Sequence, residues 1–387
     1  MEKIWVSIPD VLFFQEGPGV RNTQYTTKGV KLLNVANFVD GKIDLSTSDR
    51  FISEEEAYGK YRHFLCDAGD FIIASSGIKV EYIDKKMGFV DKAILPLCMN
   101  TSTIRFKVLD KNRLRIRYFM YYLKSQHFKE QLYRQITGSA QLNYGPSHLK
   151  KMIMPLINLK EQDELVACMD KVQSVIEMRR QELAQLDNLI KARFVEVFGN
   201  PDTNSKGWNE CVLSEKLNVV GGYTFKSDQF DEISGIPVLR IGNINAGFFK
   251  PVNLVYWHED ENLERYAIYP GDLVMSLTGT VGKDDYGNVC ILGDEYEMYY
   301  LNQRNAKLEI KEGIDKYYLS QLLKFAQIKK RLTGISRGVR QANISNKDIL
   351  NLVVPVPPIE LQEQFANFVH QVDKSKFVKP KRAFYRQ

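Results

Sequence analysis

Residues 138–165, GSAQLNYGPSHLKKMIMPLINLKEQDEL, and residues 338–365, GVRQANISNKDILNLVVPVPPIELQEQF, are one cassette written twice at an offset of 200, with matches at Gly138/Gly338, Gln141/Gln341, Asn143/Asn343, Pro155/Pro355 and Gln162/Gln362. The repeat extends upstream. Trp5 pairs with Trp208, GVKLLNVANFVDGKI from Gly29 with GIPVLRIGNINAGFF from Gly235, and AGDFIIASSG from Ala68 with PGDLVMSLTG from Pro270. A period near 200 is far too long for a solenoid unit, so a whole domain with its connector is duplicated. Each half passes through glycine-punctuated, β-branched runs (DFIIAS, STIRFKV; DLVMSL, NAKLEI) and then an aromatic-rich helical stretch before reaching the cassette. Each globular part is therefore expected to mix α and β structure. The aromatic run YFMYYL from Tyr118 reads as core rather than as a base-stacking surface.

After the cassette the pattern changes. Proline removes a backbone donor and fixes φ, so Pro155 and the stretch Pro355 to Pro358 break the chain, and a helical pattern starts immediately beyond each. From Leu159 to Phe198 there is neither Gly nor Pro. A 4,3 spacing places Leu165, Met169, Val172, Ile176, Leu183, Leu186, Ile190 and Val197 on one seam, interrupted by Arg179 and Arg193. A sustained 3.5-residue period keeps one narrow stripe facing one partner helix, as in a coiled coil. A helix of that length spans roughly 60 Å and acts as a spacer as well as a connector.

Composition narrows the function classes. With 387 residues, 44% apolar and 26% charged, the chain can bury two or three cores and is not disordered. Its 53 basic against 47 acidic side chains permit a polyanionic partner without demanding one. Cys66, Cys98, Cys168, Cys211 and Cys290 are scattered, which suggests neither a disulfide framework nor a zinc site and suits a reducing cytoplasm. The amino terminus MEKIWVSIPD lacks a signal pattern and no apolar run approaches 18 residues, so a cytoplasmic protein with no membrane partner is expected. Catalytic motifs are missing as well. GTVGKDD from Gly279 has the wrong spacing for a phosphate loop, no glycine fingerprint cradles a cofactor, and GNPDTN from Gly199 reads as a helix stop rather than an adenine methyltransferase motif. EYIDKK from Glu81 lacks the acids that would hold a nuclease metal, and the five histidines have no ligand spacing.

The order domain, cassette, long helix, domain, cassette, helix, with GSAQLN…P…EQ and GVRQAN…PVPPIELQEQ at the two joints, resembles the specificity subunit of type I restriction-modification systems over almost the whole sequence. The resemblance implies an α+β fold: two pseudo-twofold-related mixed α/β DNA target recognition domains separated by long antiparallel coiled-coil helices. It places the first recognition domain at 1–157, the central helix at 158–200, the second recognition domain at 201–357, and a C-terminal helix with a basic tail at 358–387. It further implies a non-catalytic chain that needs no cofactor or metal. Such a chain reads a bipartite, asymmetric double-stranded DNA site, while modification subunits methylate adenine and restriction subunits translocate and cleave. Two diverged copies also make sense without the resemblance, since paired domains meet two half-sites as a dimer does. A coiled-coil scaffold that never touches DNA, and a free-standing enzyme such as a fused methyltransferase, are the competing readings.

Residues that read bases should be polar and sit on loops beside glycine, where the backbone can approach phosphate. Arg337, Arg340, Gln341 and Asn343 form the best cluster; Ser139, Gln141, Asn143 and Tyr144 match it in the first half. A repeated Gln beside Gly equally fits a loop held by backbone hydrogen bonds, so both readings stand for Gln141 and Gln341. A second group joins Ser75, Ser76, Gly77 and Lys79 with Thr278, Gly279, Thr280 and Lys283, either as phosphate contacts or as plain turns. A third comprises Asn34 and Asn37 with Arg240, Asn243 and Asn245, which also suit Asx turns. The stretches KNRLRIRYF from Lys111 and KKRLTGISRGVR from Lys329 are candidate phosphate contacts.

The repeat fails at its end. Phe365, Val369 and Val372 continue the seam, but Lys376 replaces the next apolar position and Pro380 stands where the first helix has Arg180. An interior proline costs on the order of 3 kcal/mol in a helix. The second helix is therefore expected to be shortened, leaving the distal seam around Leu183, Leu186 and Ile190 unpartnered and assembly with modification subunits weakened, unless another chain completes it.

Overall fold

The computed structural model describes residues 4–135, 142–334 and 341–376, apart from the side chains of residues 78, 142, 143 and 341. Contacts divide the chain into two units, Met1–Met178 and Arg179–Gln387. The division falls inside the helix Leu159–Phe198, so the expected helical segment 158–200 is shared between the units.

Each unit is mixed α and β, and the two are built to one plan. In the first, an antiparallel sheet runs in the order Leu12–Glu16, Thr103–Val108, Phe71–Ala74, Met87–Phe89. In the second, the order Leu217–Gly221, Asn305–Ile310, Leu273–Ser276, Val289–Ile291 repeats it. A smaller sheet in each unit contains one parallel pair, Val30–Leu33 with Leu97–Met99 and Ile236–Leu239 with Tyr299–Leu301. The β-branched runs are buried without alternation, because FIIA at 71–74 and LVMS at 273–276 are central strands covered on both faces. Two short helices close each core, Ile116–Leu123 and Gln126–Gln135 in the first unit, Lys316–Leu323 and Ala326–Thr333 in the second. Tyr118, Phe119, Tyr121 and Tyr122 are buried there, as their reading as core requires.

The repeated cassette residues are joints between domain and helix. Pro155 lies on a two-stranded clasp opposite Trp5, and Pro355 lies opposite Glu210. Their carbonyls accept from the hydroxyls of Tyr118 at 2.9 Å and Tyr318 at 2.7 Å. Gln162 and Gln362 are fully buried. The Gln162 Oε1 accepts from Arg115 N at 2.8 Å while its Nε2 donates to the carbonyls of Arg113 and Ile157. The Gln362 Oε1 accepts from Asp315 N at 2.8 Å and its Nε2 donates to Pro357 O at 2.7 Å. Each glutamine thus ties the first turn of its long helix to the start of the neighbouring aromatic helix.

The long helix has two environments. Its first half carries Asp163, paired with Arg115, and Asp170, paired with Arg117, and it sends Val166 into the first core. Its second half enters the second core through Ile190, Phe194 and Phe198 and packs antiparallel against the helix Ile359–Lys376. Phe365 lies 5.5 Å from the rings of both Phe194 and Phe198. Lys376 pairs with Asp187 at 2.7 Å, and the Arg179 guanidinium donates to the Lys376 carbonyl at 2.6 Å.

Two expectations change here. The distal seam is not the unpartnered one: Ile190 is buried, and Leu183 and Leu186 are half-buried. Within the second unit the helices pair antiparallel, with Lys376 of the second beside Arg179 and Asp187 of the first. Leu165, Met169, Val172 and Ile176 are 37%, 40%, 48% and 42% exposed, whereas Phe365, Val369 and Val372 are buried. The second change is a drift of the stripe. Beyond Ile190 the buried positions are Phe194 and Phe198, with Val197 only half-buried, because a helix of 3.6 residues per turn slides off a strict 3.5 repeat.

Gln362→Leu is expected to leave the Asp315 N–H and the Pro357 carbonyl without partners and to cost about 2–4 kcal/mol of stability in urea unfolding; a loss within error of zero would remove the glutamine joint. Phe365→Ala is expected to cost about 3–5 kcal/mol and Ile176→Ala less than about 1 kcal/mol. Equal losses for the two would restore the seam as the sequence reading places it.

Candidate nucleic-acid interface

Two groups of candidates, far apart in sequence, meet in each unit as a two-stranded ribbon. In the first, Ser76–Ile78 pairs antiparallel with Leu142–Asn143, Asn143 standing opposite Ser76. In the second, Thr278–Thr280 pairs with Gln341–Asn343, with Thr278 opposite Asn343 and Thr280 opposite Gln341. Both ribbons are rooted in the same way: Tyr144 N donates to Ser75 O at 3.0 Å, and Ile344 N donates to Leu277 O at 2.8 Å. Gly77, Lys79, Thr280 and Lys283 are exposed, while Ser76, Thr278 and Gly279 are half-buried. Ser139, Gln141, Arg337 and Arg340 lie outside the described residues, and of Asn143 and Gln341 only the backbone is described.

A repeated ion pair steadies the loop that follows each inner ribbon strand. Lys129 reaches Asp84 at 3.7 Å and donates to Glu81 O at 3.2 Å. At the same offset of 200, Lys329 pairs with Asp284 and donates to Asn288 Oδ1 at 2.7 Å. Lys329, expected to touch phosphate, is therefore buried and committed to the fold. In the first basic stretch Arg115 and Arg117 pair with Asp163 and Asp170 of the long helix, while Lys111 and Arg113 are exposed.

The third group is structural at its centre. Asn37 and Asn243 are buried, and their Oδ1 atoms accept from Asn34 N and Arg240 N, both at 2.9 Å. The Asn37 Nδ2 donates to Asp44 O and Thr47 Oγ1, and that of Asn243 donates to Lys250 O and Val252 O. Each closes a wide loop, and neither side chain is free for a base edge. Asn34, also buried, accepts at Oδ1 from Asn100 Nδ2 at 2.7 Å. Tyr144 is a further correction: its hydroxyl donates to Ala74 O inside the core, and burial pushes the phenol pKa up so that it stays a neutral donor. Arg240 is half-buried, with its guanidinium on the Asn253 carbonyl, and Asn245 is half-buried beside it.

A further element, with none of the expected contacts on it, stands next to the ribbons. Asn305 N donates to Asn302 O at 2.9 Å, closing a turn with Gln303 and Arg304 at its two central positions. Gln303 N donates to Tyr223 O and Leu277 N to Arg304 O, both at 2.8 Å, so the turn sits against the residue that roots the ribbon. The first unit has a turn at the matching place, closed by a hydroxyl and with Ser102 at a φ of 64°: Thr103 Oγ1 donates to Asn100 O and Ser75 N to Ser102 O, with Thr101 and Ser102 central. Its signal was the pair MNTST and LNQRN at like places in the two halves, both polar within apolar strands. A glycine backs each turn. A Cβ on Gly17 would come within 2.0 Å of Asn100 O, and one on Gly222 within 2.2 Å of Asn302 O, distances no other residue can accept.

No group of His, Cys, Asp and Glu able to hold a metal occurs among the described residues, nor any helix long and apolar enough to cross a membrane. The domain family described as "Type I restriction modification DNA specificity domain" matches residues 20–188 and again 205–382. The chain is 26% identical over 297 residues to the type I restriction enzyme MjaVIII specificity subunit of Methanocaldococcus jannaschii, an alignment covering 70% of this chain and 67% of that one. It is 27% identical over 177 residues to the EcoBI specificity subunit of Escherichia coli, covering 44% of this chain and 34% of that one. Among solved structures, the type I restriction-modification S subunit from M. genitalium is 18% identical with a TM-score of 0.49, covering 97% of this chain and 90% of that one.

Asn243→Ala is expected to strand the Arg240 N–H and the Lys250 and Val252 carbonyls and to cost about 2–4 kcal/mol in the absence of DNA. An unchanged melting temperature would return Asn243 to the list of residues available to a ligand.

Proposed function

Because this chain belongs to the type I restriction modification DNA specificity family, whose domain it carries twice, we propose that it reads a bipartite, asymmetric double-stranded DNA site, one half with each unit. The observation that supports this reading is a repeated backbone frame with diverged surface side chains. Ribbon, turn, glutamine joint and Lys–Asp tie recur, while the residues at matching places on them differ: Lys79 and Ile78 against Val281 and Thr280, Thr101 and Ser102 against Gln303 and Arg304. A constant frame fixes where the strands and turns meet a duplex; the variable side chains decide which base edges they accept.

The chain supplies recognition and no chemistry. Adenine methylation belongs to modification subunits, and translocation and cleavage to restriction subunits, that assemble with it. Ser76, Lys79, Thr280 and Lys283 on and beside the ribbons, with Arg337, Arg340, Gln341, Asn343, Ser139, Gln141 and Asn143 of the cassettes, are the proposed DNA contacts. The domain limits 1–157 and 201–357 mark the proposed exchangeable readers. Arginines suit guanine and the amides suit adenine, while lysines act as point charges on phosphate.

Duplex binding measured by mobility shift across a salt series tests this. For every phosphate neutralised, log K should fall with log salt by about 0.9, and the purified chain with S-adenosylmethionine should leave adenine unmethylated. Salt-insensitive or absent binding to all duplexes would leave the scaffold reading standing; methylation by the chain alone would make it an enzyme.

A further inference from the structure

We propose that Gln303 and Arg304 determine the base sequence accepted by the second unit, with Arg304 reading a guanine; the inference rests on the DNA-reading function above. A side chain discriminates bases only if its backbone is already fixed, since freedom at the root lets a long side chain settle for phosphate instead. The Asn302–Asn305 turn meets that condition. Backbone hydrogen bonds from Gln303, Leu277 and Asn305 hold it, Gly222 N donates to Asn305 O at 3.2 Å behind it, and Asn305 Nδ2 donates to Leu239 O at 2.7 Å beneath it.

What the turn presents is exposed and long. Gln303 and Arg304 are both exposed, and Thr224 Oγ1 donates to Gln303 Oε1 at 2.8 Å, which orients the amide so that its NH₂ faces away from Thr224. They form one wall of an open groove of about 530 Å³ that also includes Phe225, Phe230, Arg240 and Asn253. Arg240 is already spent on the Asn253 carbonyl. Arg304 is left with a planar fork of donors matched to guanine O6 and N7.

The first unit supplies the internal control. It holds a turn at the matching place by two matching bonds, Gly17 N to Thr103 O and Ser75 N to Ser102 O, yet presents Thr101 and Ser102, whose short hydroxyls cannot span to a base edge as a guanidinium does. The two half-sites should therefore differ at the base each turn faces.

The test is to map methylated motifs by genome-wide sequencing in the host carrying the chain with its modification subunits, for wild type, Arg304→Ala, Arg304→Lys and Gln303→Ala, with melting temperatures of each purified chain. The expected result is that Arg304→Ala and Arg304→Lys both lower discrimination for guanine at one position of one half-site by roughly 5- to 150-fold, leave the other half unchanged, and melt as wild type does. An unchanged motif in Arg304→Ala, or a wild-type motif in Arg304→Lys, overturns the inference, the latter because a retained positive charge would then suffice. A wild-type host with no methylated motif overturns the DNA-reading function itself, and the inference falls with it.

Discussion

Two buried carboxamides hold this chain to its architecture. An amide taken out of water without partners costs a few kcal/mol, and one that meets every group it faces fixes their positions instead. Gln162 and Gln362 do the second, each joining the first turn of a long helix to the N–H that opens an aromatic helix. Helix, clasp and core are thereby set in one relation within each unit. The tyrosine hydroxyls on Pro155 and Pro355 add a second bond across the same joint. Without it, a helix beginning after a proline would be free to leave at any angle.

Around these joints the two units solve the same problems with different chemistry. Arg105 pairs with Asp70 in the first sheet, and at the matching place Lys307 pairs with Asp272 in the second. Both acids also accept a backbone N–H three residues upstream, from Asp67 and Tyr269, at 2.9 Å. Where Arg117 meets Asp170, the other unit has the ring of Tyr317 against His370 at 4.3 Å. Of these pairs Arg105–Asp70 is buried, and a buried ion pair is costly to half-remove, so acid and base recur together at that place. Exposed positions carry no such constraint, which is why the frame is shared and the surface is not.

Much of the fold was legible because it was written twice. The offset of 200 located both joints, and the missing Gly and Pro from Leu159 to Phe198 located the helix. The candidate site was legible only in part. Clusters drawn along the sequence could not reveal that Thr278 would pair with Asn343, since antiparallel pairing joins residues 65 apart. Asn37 and Asn243 looked like surface amides because an Asn beside loop residues carries no mark of burial; the marks were their hydrogen-bond partners, which are mostly backbone. Gln303 and Arg304 were missed for the opposite reason. They stand between two apolar strands, where the polar run of a tight turn is short enough to pass for a plain connection.

A frame repeated this closely also makes the gene a partner for itself. The two cassettes encode joints of one design, so a crossover between them during replication would splice one unit's ribbon and turn onto the other's helix with a glutamine still facing the N–H that opens the aromatic helix. A descendant carrying the Gln303–Arg304 turn in both units would present one turn twice, and would ask two like half-sites of a duplex where the present chain offers two unlike turns.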